Sequence, residues 1–485
     1  MEKSQYNTKQ LEVFEKATYL KAILKLSLPS IIGQLILVIY NLADTFFIGL
    51  ASNNNYFVSR GLDNALIAGV TICMPVFMII TAISNLFGIG AASVMSRSMG
   101  KDNYERARNA SRFAVWGCLI TTLVYCLIVL FTKNPIAMFL GGNDKDVASF
   151  AEPYILITVV CCGVPTAINT LLSHLFRGEG KSLHASIGIV LGGLLNVALD
   201  PLFIFVLFPI EKAAIAAALA TGISNCVALL YYLITYFITR KNLVISFKFK
   251  KKMFNEGVPC ECLLIGLPAC LMTLCENISY MILDRLMATV STDPIVAKAA
   301  LAGIGAAKKV NMFAHSVVRG MTQGVLPLIG YNKASGNRHR MRMIVYISGG
   351  ISLGIAIICM TLNITLATPL TEIFLHEPQS IQYGADFLKI LSIGAPFSAI
   401  AYSVISFFQA VGKPWRSLIL ALLRKGILDI PLMFILRIAI PTYGIVWATP
   451  IADIACCVVA IILFVIYIHY HGHDRHADIN NHQIA

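Results

Sequence analysis

SLPSIIGQLILVIYNLADTFFIG, residues 27–49, occurs in the chain a second time as GLPACLMTLCENISYMILDRLMA, residues 266–288. Each copy has proline at its third position and then continues as a mostly apolar run. Its length is close to the roughly 20 apolar residues that an α-helix needs to cross the hydrocarbon core of a bilayer. The pair therefore predicts a membrane-spanning helix that the sequence uses twice.

The composition predicts that the whole chain is built from such helices. The 485 residues are 57% hydrophobic and only 13% charged, with a mean hydropathy of +0.75, whereas about a quarter of the residues of a soluble domain are charged. We therefore expect an all-α integral membrane protein with twelve transmembrane helices. The predicted spans are 27–50, 65–96, 112–131, 150–176, 184–208, 212–238, 263–289, 299–331, 343–368, 383–411, 417–440 and 443–468.

Two further segments repeat in the same order and divide the spans into two sets of six. GAASVMSRSMGKDNYERAR (90–108) resembles GVLPLIGYNKASGNRHRMR (324–342), and NVALDPLF (196–203) resembles GILDIPLMF (426–434). Because six is even, both halves enter the membrane from the same side, which predicts two pseudo-twofold-related lobes around a central cleft. The expected domains are an N-terminal tail (1–26), an N-lobe (27–238), a basic linker (239–262), a C-lobe (263–468) and a C-terminal tail (469–485).

The distribution of lysine and arginine predicts the orientation. Most of them lie in the N-terminal tail and in the loops after even-numbered spans, and positively charged loops stay in the cytoplasm. We therefore expect a multi-pass protein of the plasma membrane with both termini cytoplasmic. The net charge of +13 largely reflects this asymmetry, so it indicates no nucleic-acid partner.

Two charged segments leave alternatives open. The linker at 239–262 is either a polybasic segment that rests on anionic lipid or an ordinary cytoplasmic loop. The histidines of HYHGHDRH, residues 469–476, either hold a metal ion or belong to a solvated tail.

Asp44 and Asp200 are the acidic residues that most need an explanation, because each lies in the middle of a predicted span. A charge near the centre of a bilayer costs about 3 kcal/mol or more, so it persists where it is paired, solvated or used. Asn196 precedes Asp200 by four residues and shares its helix face. Pro201 frees a backbone carbonyl nearby. The group is either a cation site on a flexible helix or a polar contact between packed helices.

The spans, the repeated motifs and their order resemble a multidrug and toxic compound extrusion (MATE) transporter, and within that family the bacterial DinF-type and MepA-like branch. This resemblance implies that Asp44, Asn196, Asp200 and Thr221 form a cation-coupling site. Asp44, Asn196 and Asp200 would be the ligands if Na⁺ is the coupling ion. It also implies that Pro29 is a hinge that bends the first span, whereas proline within a span can equally serve packing. Pro201 is the second expected hinge, because it removes a backbone hydrogen bond and permits a bend.

The second half offers a different set of cleft residues, namely Glu276, Arg319, Gln323 and Asp429. The resemblance implies that Glu276 matches a carboxylate that binds sodium in another branch of the family. That branch has a second acidic residue on its tenth span, whereas residues 387–412 contain none, so a complete sodium site is not expected here. Arg319 either neutralises a carboxylate such as Glu276 or binds anionic groups of a substrate.

The expected function is secondary active efflux, in which Na⁺ or H⁺ is exchanged for amphipathic cationic organic compounds by alternating access. A lipid-linked or polar-metabolite flippase of the same superfamily is the alternative. The sequence shows no Walker motif, so energy should come from an ion gradient rather than from a nucleotide. We expect no cofactor, no enzymatic activity and a monomer in the lipid bilayer, with small molecules as substrates.

Overall fold

The computed structural model describes residues 8–140 and 144–470, and within these ranges all regular structure is helical. The histidine cluster at 471–476 and the rest of the C-terminal tail lie outside the described residues. The α-helices, in chain order, are α1 (Thr8–Glu15), α2 (Tyr19–Ser52), α3 (Asn55–Val58), α4 (Asp63–Thr71), α5 (Met74–Gly100), α6 (Tyr104–Leu140), α7 (Lys145–Ile155), α8 (Gly163–Gly178), α9 (Ser182–Leu202), α10 (Ala213–Thr239), α11 (Val258–Ala288), α12 (Pro294–Ala334), α13 (Arg338–Thr365), α14 (Ala367–Glu372), α15 (Pro378–Ile393), α16 (Ala395–Ala410), α17 (Pro414–Leu422), α18 (Asp429–Ala439) and α19 (Tyr443–Tyr470).

The long helices confirm the all-helical membrane fold. Among the described residues, 8 helices are long and apolar enough to cross a membrane, or 10 if two bent helix pairs count as one span each. The predicted spans at 299–331 and 417–440 are also helical, but they carry several charged residues. The first carries Lys308, Lys309 and Arg319 on α12, and the second carries Arg424 and Lys425 between α17 and α18.

The outer surface of the helices is apolar, as a lipid environment requires. Phe131, Phe139 and Ile438 are 81%, 83% and 87% exposed. Large apolar side chains exposed to this extent over whole helices would be unfavourable in water. Polar backbone groups are meanwhile satisfied within the helices, which is the condition for crossing hydrocarbon.

Packing divides the described helices into two compact units. The first contains the residues up to Met281 together with Ser316–Ser348 and Gln409–Pro414. The second contains Ile282–His315, Gly349–Phe408 and the residues from Trp415 onward. The second unit has its own core, in which buried side chains such as Phe387, Leu388 and Met433 pack together.

Within the first unit, helices from the two sequence halves cross at very short range. A Cβ atom on Gly324 of α12 would lie 2.5 Å from Cα of Ser27 and 2.7 Å from the carbonyl oxygen of Leu26, both on α2. A Cβ atom on Gly90 of α5 would overlap the carbonyl oxygen of Cys262 on α11. Gly90 and Gly324 open the repeated segments at 90–108 and 324–342, so both halves use glycine for the same purpose.

The basic linker packs partly against protein. Leu243, Val244 and Ile245 are buried, and the Val244 N–H donates to the Glu179 carboxylate at 2.8 Å. The indole N–H of Trp116 donates to the carbonyl of Phe247 at 3.1 Å. This part of the linker therefore packs on the first unit, and its main contacts are with protein rather than with lipid headgroups.

Candidate functional site

The two carboxylates singled out in the sequence, Asp44 on α2 and Asp200 on α9, lie close together in the first unit. They are 6% and 0% exposed, and they are close enough for their charges to interact. Close packing of α2 and α9 positions them, since a Cβ atom on Gly193 would lie 2.6 Å from the Ile36 side chain. Gly193 precedes Asn196 by three residues, so the close approach occurs at the level of the site.

Asn196 connects Asp200 with the next helix. Its amide nitrogen lies 3.4 Å from Oδ1 of Asp200 and 3.3 Å from the hydroxyl oxygen of Thr221 on α10. Asn196 and Thr221 are also buried, at 1% and 7% exposed. The structure thus brings together all four residues that were assigned to the cation-coupling site, although their function stays a prediction.

Three oxygen atoms of this cluster are buried without a hydrogen-bond partner: Oδ1 of Asp44, Oδ1 of Asn196 and Oδ2 of Asp200. Neither carboxylate has a lysine or arginine within ion-pair distance in the part of the chain that the structure describes. Buried carboxylates are stable only when a positive charge or a proton compensates them. A set of hard oxygen donors suits Na⁺ or a proton rather than a transition metal.

The helix that carries Asp200 is irregular directly after the site. Pro201 has no N–H, so the carbonyl of Val197 lacks its usual helical partner. The α-helix ends at Leu202, and a π-helical turn follows at Phe203–Leu207. Such turns are frequent at functional sites. Pro29, the other predicted hinge, lies inside α2, which continues through it.

Two tyrosines belong to the site and were missed by the sequence reasoning. The phenol groups of Tyr40 on α2 and Tyr154 on α7 lie within electrostatic range of both Asp44 and Asp200. Tyr40 precedes Asp44 by four residues, so its position on the same helix face was available from the sequence. Tyr154 lies on another helix, and only the tertiary packing brings it to the carboxylates.

In the second half, Nη2 of Arg319 on α12 donates to both carboxylate oxygens of Glu276 on α11 and forms an ion pair with it. The Glu276 side chain is 12% exposed and the Arg319 side chain is 33% exposed. One turn before the end of α11, Asp284 pairs with Lys308. These contacts neutralise both carboxylates, as the interpretation of Arg319 as part of a charge network requires.

Gln323 belongs to a polar group that the sequence analysis only partly identified. Its side-chain oxygen accepts from the Gln34 amide at 3.4 Å, and with His174 it lines a small cavity. The His174 ring lies 3.0 Å from Oδ1 of Asn85, whose amide donates to Thr273 at 3.0 Å. In the sequence, each of these residues is a single polar residue within an apolar helix. Only the folded structure shows that they lie close together.

Asp429 belongs to a separate cluster in the second unit. It is 0% exposed, and its Oδ2 accepts from the Lys425 ammonium at 2.9 Å. Its Oδ1 accepts from the hydroxyl of Thr449 at 2.9 Å. Beside it, Nε of Arg424 donates to Oδ1 of Asp453 at 2.6 Å. Asp429 is therefore part of a buried, paired charge group.

These features define a multi-span helical membrane protein with a buried acidic site. The sequence profile of the MatE family matches residues 29–202 and 268–435, once in each half. The chain belongs to this family of MATE multidrug efflux transporters.

Individual relatives agree with this assignment. The chain is 28% identical to the multidrug export protein MepA of Staphylococcus haemolyticus over 462 residues, covering 94% of this chain and 95% of MepA. The fold matches an outward-facing structure of a MATE multidrug resistance transporter with a TM-score of 0.83 at 21% identity, covering 96% and 99% of the two chains. It also matches a transporter of the MOP superfamily from Pyrococcus furiosus, with a TM-score of 0.82 at 21% identity and coverage of 96% and 98%.

Proposed function

We propose that the protein is a secondary active efflux transporter that exchanges Na⁺ or H⁺ for amphipathic cationic organic compounds by alternating access. The observation that supports this proposal is the set of buried oxygens of Asp44, Asn196 and Asp200 that have no partner. A coupling cation needs a buried site that binds it and then releases it. Uncompensated carboxylates meet both requirements, because a cation stabilises them and a gradient can remove it.

The binding step follows from the electrostatics of the site. When a cation or proton reaches Asp44 and Asp200, it removes the repulsion between the two carboxylates and so permits tighter packing of α2 against α9. Pro201 and the π-helical turn after it give α9 a place to bend in response. Substrate release and cation entry would then alternate at one cleft.

The expected location is the plasma membrane, with both termini in the cytoplasm. This orientation rests on the basic loops. Arg97 and Arg106 belong to the basic segment that follows the second predicted span. Both pair with Glu261 at 2.6 Å at the same end of the helices as the basic linker.

The test is dye efflux from proteoliposomes in which a sodium gradient and a pH gradient are imposed separately. Wild-type protein should accumulate a cationic dye against its concentration gradient with one of the two gradients and not without either. Asp200→Asn should abolish accumulation while the protein still folds, because a neutral amide no longer needs a cation. Asp63→Asn, at the half-buried start of α4, is the matched control and should export normally. Wild-type transport by Asp200→Asn would refute the proposal.

The flippase alternative drew its best support from the basic residues Arg319, Lys308 and Lys309 of the eighth predicted span. Arg319 pairs with Glu276, and Lys308 pairs with Asp284, so these side chains do not provide an uncompensated positive surface for an anionic headgroup. The pairing therefore favours export of cationic compounds.

A further inference from the structure

The internal repeat places a counterpart of the cation-coupling site in the second half of the chain. When Asp200 is aligned with Asp429, Asn196 aligns with Lys425 at the same offset of 429 − 200 = 425 − 196 = 229 residues. Thr221 corresponds to Thr449, at an offset of 449 − 221 = 228 residues. Each half therefore has an aspartate, a residue one helical turn before it and a threonine on the following helix.

The contacts within the two groups are similar. In the first half, the side-chain nitrogen of Asn196 contacts both the carboxylate of Asp200 and the hydroxyl of Thr221. In the second half, the side-chain nitrogen of Lys425 and the hydroxyl of Thr449 both contact the aspartate carboxylate. Asp200 and Asp429 are each 0% exposed. The two groups thus share a buried aspartate, a nitrogen-bearing side chain four residues before it and a threonine on the following helix.

They differ in one charge. The nitrogen that contacts Asp200 is the neutral amide of Asn196, and the other carboxylate oxygen of Asp200 has no partner, whereas the nitrogen that contacts Asp429 is the ammonium group of Lys425. Lys425 is 2% exposed and lies within the π-helical turn Leu423–Leu428, which directs it at the carboxylate four residues later. A monovalent positive charge is therefore held against the second aspartate by a covalent tether.

We propose that Lys425, Asp429 and Thr449 form a second monovalent-cation site whose resident cation is the Lys425 ammonium. This proposal rests on the proposed function, because it takes the first-half group as the exchangeable counterpart. The tethered ammonium cannot dissociate, so only the first half exchanges a cation with the gradient. Replacing the lysine with the asparagine that the first half has at this position would open the site to Na⁺ or to a proton.

The test uses purified protein in which the first site is disabled by Asp200→Asn. Thermal unfolding is measured in NaCl against choline chloride at constant ionic strength, and across pH 6 to 8. The Asp200→Asn protein should show little cation dependence. Adding Lys425→Asn should produce stabilisation that grows with Na⁺ concentration or with proton concentration. Adding Asp429→Asn as well should remove it, because the second carboxylate is then neutral.

Two controls make the outcomes decisive. Lys425→Arg keeps the positive charge and should show the same Na⁺ and pH dependence as the Asp200→Asn parent. The neutral pair Lys425→Met with Asp429→Asn, made in the Asp200→Asn background, should still fold and should also show no more Na⁺ and pH dependence than that parent. Added cation-dependent stabilisation of that variant would overturn the proposal, as would a Lys425→Asn protein that no cation or proton concentration stabilises.

The design also separates this proposal from the proposed function. If Asp200→Asn alone leaves the cation dependence of wild-type protein intact, the first-half site is wrong. If Asp200→Asn removes that dependence and Lys425→Asn does not restore it, the first-half site stands and the proposed second site is wrong.

Discussion

Gly324→Ala tests the close crossing of α2 and α12, which joins helices from the two halves of the sequence. The new Cβ atom would lie 2.5 Å from Cα of Ser27 and 2.9 Å from the carbonyl carbon of Leu26. Favourable contacts between carbon atoms begin at about 3.5 Å, so the helices must separate by about 1 Å. Backbone atoms cannot rotate out of the way as a flexible side chain would.

The size of the effect follows from two opposing terms. Overpacking of a close contact costs about 1–3 kcal/mol, whereas exchanging glycine for alanine inside a helix gains up to about 1 kcal/mol. We therefore expect a net destabilisation of about 1–2 kcal/mol. Gly349→Ala on α13 is the matched control, since no atom lies within 4 Å of its added Cβ. Only the propensity term remains there, so this variant should be neutral or slightly stabilised.

The first assay is thermal unfolding of both purified variants in detergent, where the two changes should differ in sign. The second is the distance between spin labels at two exposed positions, Leu20 near the start of α2 and Ser335 directly after α12. In Gly324→Ala, a weakened crossing should increase the population with a longer distance, by roughly tenfold for 1.4 kcal/mol. Equal melting shifts for the two alanine variants would refute the argument that this glycine is required for close approach.

Two other variants test charges that the fold buries. Burial raises the pKa of Glu179 to about 7, above the value that this carboxyl group has in an unfolded chain. Glu179 therefore holds its proton more tightly in the folded protein, and the protein loses stability as the pH rises from about 4.5 to 7. Glu179→Gln should reduce this change of stability with pH by up to about 3 kcal/mol. The measurement is thermal unfolding of the variant and of wild type at pH 5 and pH 8. A stability that changes equally with pH in both proteins would contradict the prediction. Arg319→Ala should destabilise the protein by about 1–2 kcal/mol, because it leaves Glu276 without its cation, and part of the pair is open to solvent. Adding Glu276→Gln should recover most of this loss in the same melts, and additive losses would show that the pair is not coupled.

The sequence was sufficient to predict the helical membrane fold and the duplication. Isolated polar residues in apolar runs also made Asp44, Asn196 and Asp200 conspicuous, whereas Thr221 came from the family resemblance, and the role of these four residues stays a prediction. It was less informative where helices bend. The predicted span 150–176 is two helices that meet at 52° near Cys162, and 383–411 is a pair that meets at 43° near Gly394. Hydropathy averages over such breaks. Contacts between distant segments, such as Tyr154 with Asp44, depend on packing that no local pattern encodes.

The charges of the two halves suggest why one site is the exchangeable one. In the second half, four carboxylates that lie within helices each have a basic partner: Glu276 with Arg319, Asp284 with Lys308, Asp429 with Lys425 and Asp453 with Arg424. In the first half, Asp44 and Asp200 lack one among the described residues. A paired carboxylate gains little from an added cation, because its charge is already compensated. An unpaired one gains the whole interaction, so under the proposed function an ion gradient would act most strongly on α2 and α9.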